Sequence, residues 1–421
     1  MFFSLDQKIK ELHESRWKGV LAITGGGSGA LTRLLSVPGA SGTILEGIIP
    51  YSNASILDFL KRKPDHFSSE PTARLLAIAA FQRAQSLAPE IDSDDLFGIG
   101  ATASLASDRP KKGDHRIHIG IQSLQETWSF SLTLTKGERT RAEEEELSSI
   151  LIIFSIFYFL KEQEKKKNCG RSDLNCFKDQ IRSEVSPWKK LLFDSLFPSE
   201  IISVRCGAAG SDWGDLLFHP SGPVQAIRRQ GNHFTSYKDH PCDQGENIFP
   251  GSFHPIHWGH LKMRETAEKE TGIPVVLELS VQNVDKPSLD YLEIADRLAE
   301  IEIANPDSDI VFTQAPRFID KADLFPESLF IVGADTLLRI ADLSYYNNDQ
   351  KQYEEIVHHF SAMGTRFLVF ARPNGDHAET LSNLPIDENL RHLCREIPVS
   401  EFLETISSTE IRKNQEKFRE K

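Results

Sequence analysis

Apolar residues along this chain recur with two periods, and each change of period marks an element. In "GVLAITGGGSGALTRLL" an apolar run stops at glycines and resumes at helical spacing, which predicts strand, tight turn and helix. "TILEGIIPYS" predicts a strand, and "EPTARLLAIAAFQRAQSL" spaces Leu75, Leu76, Ile78 and Ala79 as a helix does. "DLFGIGATASL" predicts a strand ending in small residues. "HRIHIGIQS" and "TWSFSLTLT" alternate as half-buried strands do. The acidic run at 143–146 and the lysine-rich "KEQEKKK" are expected to be solvated faces, and "ILIIFSIFYFL" between them a buried helix or strand.

Periodicity weakens over 165–245, where Gly, Pro, Asp and Ser accumulate, so 166–245 reads as a connector between a domain at 1–165 and another at 246–421. The pattern then resets. "NIFPGSF", "PVVLELSV", "DIVFTQA", "SLFIVGAD" and "RFLVFARP" predict strands, with the first expected to end near Phe253. "WGHLKMRETAEKET" and "LDYLEIADRLAEIEIA" predict helices between them. Apolar strands alternating with helices indicate an α/β fold with a parallel sheet covered on both faces. Such sheets bind ligands outside the carboxyl ends of their strands.

Composition narrows the class. The chain has 421 residues, a charged fraction of 26% and a net charge of −13. That balance argues against a nucleic-acid binder, which usually shows a basic face. Five scattered cysteines without a CxxC pair suit a reducing compartment. The N-terminus lacks a signal-peptide pattern, and the longest apolar run is too short for a bilayer. The expectation is a cytoplasmic protein without membrane contact, with homo-oligomerisation left open.

The densest candidate chemistry is "FPGSFHPIHWGH", which carries His254, His257 and His260. Pro255 breaks a strand ladder, and a helix is expected from about Trp258. His257 and His260 then face one side of a first turn whose amides and dipole attract anions. Gly251 and Gly259 allow close approach of backbone to phosphate. Two imidazole donors at such a point suit a polyphosphate whose charge grows during group transfer. A zinc site is disfavoured, since HExxH is absent and His254 lies beyond a proline. In "ISSTEIR", Ser407 and Glu410 form a capping box, Ser408 and Thr409 present hydroxyls at a helix start, and Arg412 lies one turn in. "IVGADTL" puts Gly333 and Asp335 at a strand's carboxyl end, and "VFARP" does so for Arg372. Lys286, in "NVDKP", is either a substrate-phosphate contact or a solvated lysine.

These residues resemble the two signatures of the nucleotidylyltransferase superfamily, GxFxPxHxGH and ISSTxxR. The segments around Asp335 and Arg372 look like those of the nicotinate/nicotinamide mononucleotide adenylyltransferases. The resemblance covers most of 246–421 and implies a Rossmann-like domain that moves AMP from ATP, with Mg²⁺, onto a mononucleotide's phosphate. It makes His257 and His260 catalytic. It gives nucleotide contacts to Gly251, Ser252, Phe253, Gly259, Ser408, Thr409 and Arg412, and acceptor contacts to Gly333, Asp335, Arg372 and Lys286. No protein-held metal is implied. Acceptors such as phosphopantetheine, CTP in place of ATP, and a non-catalytic nucleotide sensor or scaffold share the motifs.

Near the N-terminus, Gly25-x-Gly27-x-x-Ala30 with Glu46 beyond it matches a loose dinucleotide fingerprint. A longer match competes. "ITGGGSGALTRLLSVPGASGTILEGIIPYSN" and "GIGATASLASDRPKKGDHRIHIGI" resemble the CinA C-terminal family, which includes nicotinamide mononucleotide deamidases. Members active as deamidases carry a serine where this chain has Ala22 and a lysine where it has Ile56. Neither residue can serve an amidohydrolase, so a nucleotide pocket without the chemistry is expected. Ser28 and Lys61 are the candidate substitutes. Joining folds from successive steps of NAD salvage favours a pyridine mononucleotide acceptor.

Overall fold

The computed structural model describes residues 5–108, 112–166, 175–181, 192, 194–208, 211–218, 226–230, 233–236, 245–282, 289–306, 308–374, 377–402 and 411. The chain divides into two compact units. The first is Met1–Gly214 with Asp290–Ala295, and the second is Asp215–Leu289 with Asp296–Lys421.

The first unit holds a seven-stranded sheet built from β1 (Lys18–Thr24), β2 (Ile44–Ile48), β3 (Leu96–Ser104), β4 (His115–Gln122), β5 (Glu126–Leu134), β6 (Asn175–Ile181) and β7 (Ile202–Ala208), in the order β2-β1-β3-β4-β5-β7-β6. β2, β1 and β3 run parallel, and the remaining pairings are antiparallel. The glycine-bearing strands are close-approach surfaces. A β-carbon on Gly98 would stand 2.1 Å from the Phe81 backbone nitrogen, and one on Gly100 2.1 Å from the Ala73 carbonyl. The helix Glu70–Leu87 thus lies with its backbone almost on the sheet, as its alanines at 73, 77 and 80 permit. Its start is fixed by Ser69, whose hydroxyl accepts from the Thr72 amide.

The expected apolar run forms the middle of a 26-residue helix, Arg141–Lys166. Its Leu151, Ile152, Phe154, Ile156 and Phe159 join Trp128 and Phe130 in one core. Each such side chain contributes about 1.5–3 kcal/mol on burial. The acidic run at 143–146 is the solvated face expected of it at Glu143 and Glu146, and departs from it at Glu144. Glu144 is wholly buried, pairing with His115 at 2.8 Å, and also accepts the Ala106 amide. Glu143 accepts from Thr140, Glu145 from Ser28, and Glu146 pairs with Arg33. The run sits at a helix start, where carboxylates meet donors, and charge counting alone does not show that.

The second unit holds an eight-stranded sheet of β8 (Ala226–Gln230), β9 (His233–Ser236), β10 (Asn247–Pro250), β11 (Val275–Ser280), β12 (Asp309–Thr313), β13 (Leu329–Gly333), β14 (Arg366–Phe370) and β17 (Cys394–Ile397), plus a separate hairpin of β15 (Arg372–Asn374) and β16 (His377–Glu379). The order is β17-β14-β13-β10-β11-β12-β8-β9. From β17 to β12 every pairing is parallel, and β8 and β9 close one edge as an antiparallel ribbon. The segment read as a connector therefore supplies β6 and β7 to the first sheet and β8 and β9 to the second. These strands are short and mixed in polarity ("NCFKDQI", "AIRRQ"), so they lack the apolar run that flags a central strand. Among the described residues no helix is long and apolar enough to cross a membrane.

Strand order in the second sheet places a site before any side chain is considered. The chain runs outward from β10 through β11 to β12 on one side, and through β13, β14 and β17 on the other. The reversal falls between β10 and β13, and the crevice outside their carboxyl ends is where ligands bind in such sheets.

Candidate active site

The residues after β10 form that crevice's principal wall. β10 ends at Pro250, three residues before the expected Phe253, although the Gly251 amide still donates to the Glu278 carbonyl of β11 at 2.9 Å. Phe253 is fully buried at φ +41°, and the His254–Pro255 peptide is cis. The helix Trp258–Thr271 then starts at His257, whose backbone is extended, and stops at Gly272 in the left-handed region. Met263 and Ala267 seat this helix in the unit.

His260 is the most constrained of the three histidines. Its ring lies 3.7 Å, centroid to centroid, from that of His257 and nearly parallel to it. Phe253 stands edge-on at 5.2 Å and Phe249 at 6.0 Å. The His257 amide donates to His260 Nδ1 at 3.3 Å. Nδ1 is then the acceptor, so the neutral ring carries its proton on Nε2, which becomes a donor. A donor at a helix start suits an anionic oxygen. His254 lies on the other side of the proline, with Nδ1 3.9 Å from the Glu300 carboxylate. The helix residues Gly259 (buried) and Trp258 (exposed) complete the turn.

Two interactions behind this loop escaped the sequence. Arg297 donates to the Ser252 carbonyl at 3.0 Å. Lys321, 4% exposed, donates to the Glu278 carboxylate at 2.7 Å and to the Ala315 carbonyl at 2.6 Å, and Thr313 donates to that same carboxylate. Arg297 sits in "ADRLAEIE" and Lys321 in "IDKADL", segments that read as ordinary charged helix faces. The partial signal was in the strands: a glutamate inside "VVLELS" has to find a cation.

On the other side of the crevice, Gly333 is the cap residue of the helix Ala334–Ala341, and Asp335 is exposed in its first turn. Gly333 therefore ends β13, the neighbour of β10, and Asp335 follows it. Arg372 opens β15 just beyond β14, and its side chain lies outside the described residues. Lys286, Ser408, Thr409 and Arg412 also lie outside them. Phe402 packs edge-on against Phe370 at the end of β14 (4.9 Å) and takes Lys262 over its ring at 5.6 Å.

In the first unit Ala22 and Ile56 are both buried apolar residues. Lys61 is exposed and pairs with Asp58 at 2.9 Å, while Ser28 is exposed and hydrogen-bonded to Glu145.

A parallel sheet with a histidine-bearing helix start at its switch point makes this a Rossmann-like α/β domain with a crevice at that edge. Residues 248–414 match the Cytidylyltransferase-like family model, which makes this part of the chain a nucleotidyltransferase domain. The chain is 28% identical over 183 residues to a putative nicotinamide mononucleotide adenylyltransferase of Schizosaccharomyces pombe, covering 40% of this chain and 69% of that protein. It is 25% identical over 180 residues to a probable nicotinate-nucleotide adenylyltransferase of Endomicrobium trichonymphae, covering 39% and 83%. Among solved structures, the competence/damage inducible protein CihA of Agrobacterium tumefaciens matches 37% of this chain and 92% of its own, at 15% identity and a TM-score of 0.29. A CinA superfamily protein of Escherichia coli matches 37% and 86%, at 12% identity and a TM-score of 0.29.

Proposed function

We propose that residues 248–414 transfer AMP from ATP to nicotinate or nicotinamide mononucleotide, releasing pyrophosphate and forming a dinucleotide. The observation that carries this reading is the histidine pair at the helix start beside β10's carboxyl end, with His260 Nδ1 accepting from the His257 amide at 3.3 Å and the two rings stacked at 3.7 Å. In-line attack by the acceptor's phosphate on the α-phosphorus forms one P–O bond and breaks the bond to the leaving pyrophosphate. The reaction needs alignment and charge stabilisation, and no covalent nucleophile. His257 and His260 would donate to the triphosphate, and Gly251, Ser252 and Phe253 would present backbone groups to the nucleotide. Ser408, Thr409 and Arg412 would hold phosphates from the second motif. Asp335 and Gly333, with Arg372 and Lys286, would face the acceptor. Mg²⁺ carried with ATP would screen the phosphate charge. The two adenylyltransferase relatives support ATP and a pyridine mononucleotide.

The test is pyrophosphate release from the full chain with ATP and with CTP, across nicotinate mononucleotide, nicotinamide mononucleotide, phosphopantetheine and glycerol phosphate. Turnover with ATP and a pyridine mononucleotide is expected. Turnover confined to another acceptor or to CTP replaces that specificity, and binding without turnover in every arm makes the domain a sensor.

A further inference from the structure

β11 lies between β10 and β12, and its Glu278 bonds toward both. The Glu278 backbone carbonyl accepts the Gly251 amide at 2.9 Å. Its carboxylate accepts from the Thr313 hydroxyl, at the end of β12, and from the Lys321 ammonium at 2.7 Å. The same two side chains close the backbone of Ala315, the second residue beyond β12. The Ala315 amide donates to Thr313 Oγ1 at 3.2 Å, and the Ala315 carbonyl accepts from Lys321 at 2.6 Å. Glu278, Thr313, Ala315 and Lys321 are all buried. Lys321 comes from the short helix Phe318–Leu324, whose start is fixed by Asp320 accepting from the Arg317 amide at 3.1 Å. Both polar backbone groups of one loop residue thus lead to a single carboxylate.

A connecting loop ordinarily leaves its backbone groups to water. Residues 314–316 are closed instead by an ion pair taken out of water at a desolvation cost. An apolar pair of the same volume would fill the space without that cost, but it would leave the Ala315 carbonyl without this donor. What the ion pair adds to the core is one conformation of the loop. β10, β11 and β12 run parallel, so residues 314–316 follow a carboxyl end just as Gly251, Ser252 and Phe253 do. The proposed nucleotide contacts follow β10 and β17, whereas Lys286, given to the acceptor's phosphate, follows β11, next to β12 in the sheet. We propose that Lys321 and Glu278 are positioning residues for the transfer: by fixing residues 314–316 they hold one wall of the place where the acceptor binds. The inference rests on the adenylyltransferase reading above.

The test compares the full unaltered chain with two variants. The double variant Lys321→Met/Glu278→Leu removes the pair without leaving either charge buried alone. Thr313→Val keeps the pair and removes the hydroxyl that accepts the Ala315 amide. Hydrogen–deuterium exchange without substrates, read at residues 314–318, should quicken by roughly threefold or more in both. In steady-state kinetics with ATP and a pyridine mononucleotide, the acceptor's KM should rise about tenfold in the double variant and about threefold in Thr313→Val, as for a charged and a neutral hydrogen bond lost, with the KM for ATP within about twofold. A pair that only supported the fold would lower kcat through loss of folded enzyme and leave both KM values alone. If the double variant does not fold, Thr313→Val alone decides. Exchange unaltered in the variants overturns the clamp. Turnover with an unaltered acceptor KM overturns the pair's role and leaves the functional reading standing. No turnover by the unaltered chain with any acceptor defeats the functional reading, and the pair's role falls with it.

Discussion

Arg297 grips the carbonyl of Ser252 at 3.0 Å, one residue before the buried, left-handed Phe253. In a trans peptide the carbonyl and the following amide point opposite ways. Holding the Ser252 oxygen therefore also aims the Phe253 amide, within a loop whose backbone is not one a phenylalanine adopts by itself. Arg297→Met should lower kcat/KM for nucleotidyl transfer by about ten- to a hundredfold, the range expected for losing a charged hydrogen bond. The fold should melt nearly unchanged, and Arg297→Lys should recover part of the loss. Steady-state kinetics of pyrophosphate release in the three proteins decides it, and an unchanged Arg297→Met enzyme would remove the role.

His260 should be harder to replace. His260→Ala should cost on the order of 10²–10³-fold in kcat with the fold intact. His260→Gln places an amide donor near the Nε2 position and should retain more activity than His260→Asn, whose donor falls near Nδ1. Comparing the kcat of the three variants tests whether the ring acts through Nε2. The reverse order of Gln and Asn would contradict that tautomer.

The Lys321–Glu278 pair is buried below the site, with side chains 5% and 1% exposed. Removing only the cation leaves a carboxylate in the core, so Lys321→Met should destabilise the second unit by about 3–5 kcal/mol. Adding Glu278→Leu to that variant should return much of the loss. Urea denaturation of the parent, the two single variants and the double variant reads the coupling, and additive effects would mean the pair does not act as one.

The pH response of the first unit should trace to His118. Burial, opposed by Glu70 and assisted by Arg116, pushes this imidazole down to about 4 from its ordinary 6.5, while its Nδ1 meets Ser131 Oγ at 2.8 Å. With the folded value the lower one, the unfolded chain takes up its proton first as pH falls. The stability tied to the neutral ring is thus complete above pH 6.5 and is lost between 6.5 and 4, by no more than roughly 3 kcal/mol. His118→Gln should flatten the dependence of unfolding free energy on pH in that window. A slope unaltered by the substitution would assign it elsewhere.

The strands and long helices were legible because their signals are local: runs such as "DIVFT" and "LFIVG" need only their own residues to be recognised. The histidine turn was legible for the same reason, since His257 and His260 lie three apart on one helix start. What escaped were contacts between residues distant in sequence. Arg297 meets Ser252 from 45 positions away, and Glu145 meets Ser28 from 117. No periodicity encodes such a meeting. The polar strands of 166–245 were hidden by a different cause: they are added at or near sheet margins, where the backbone ladder and not an apolar run holds a strand in place.

The six residues Asp290–Ala295 belong to the first unit, yet they are made after 215–289 of the second. Tyr291 is fully buried there, its hydroxyl on the Leu124 carbonyl at 2.6 Å and its backbone so close that a β-carbon on Gly207 would stand 2.7 Å from it. Arg74 is closed off by Asp290 at 2.7 Å. During synthesis the amino-terminal unit therefore waits for a latecomer, holding an unfilled notch until residues 215–289 of its successor have left the ribosome. For the same reason a gene cut after residue 214 would yield a first piece missing part of its own core.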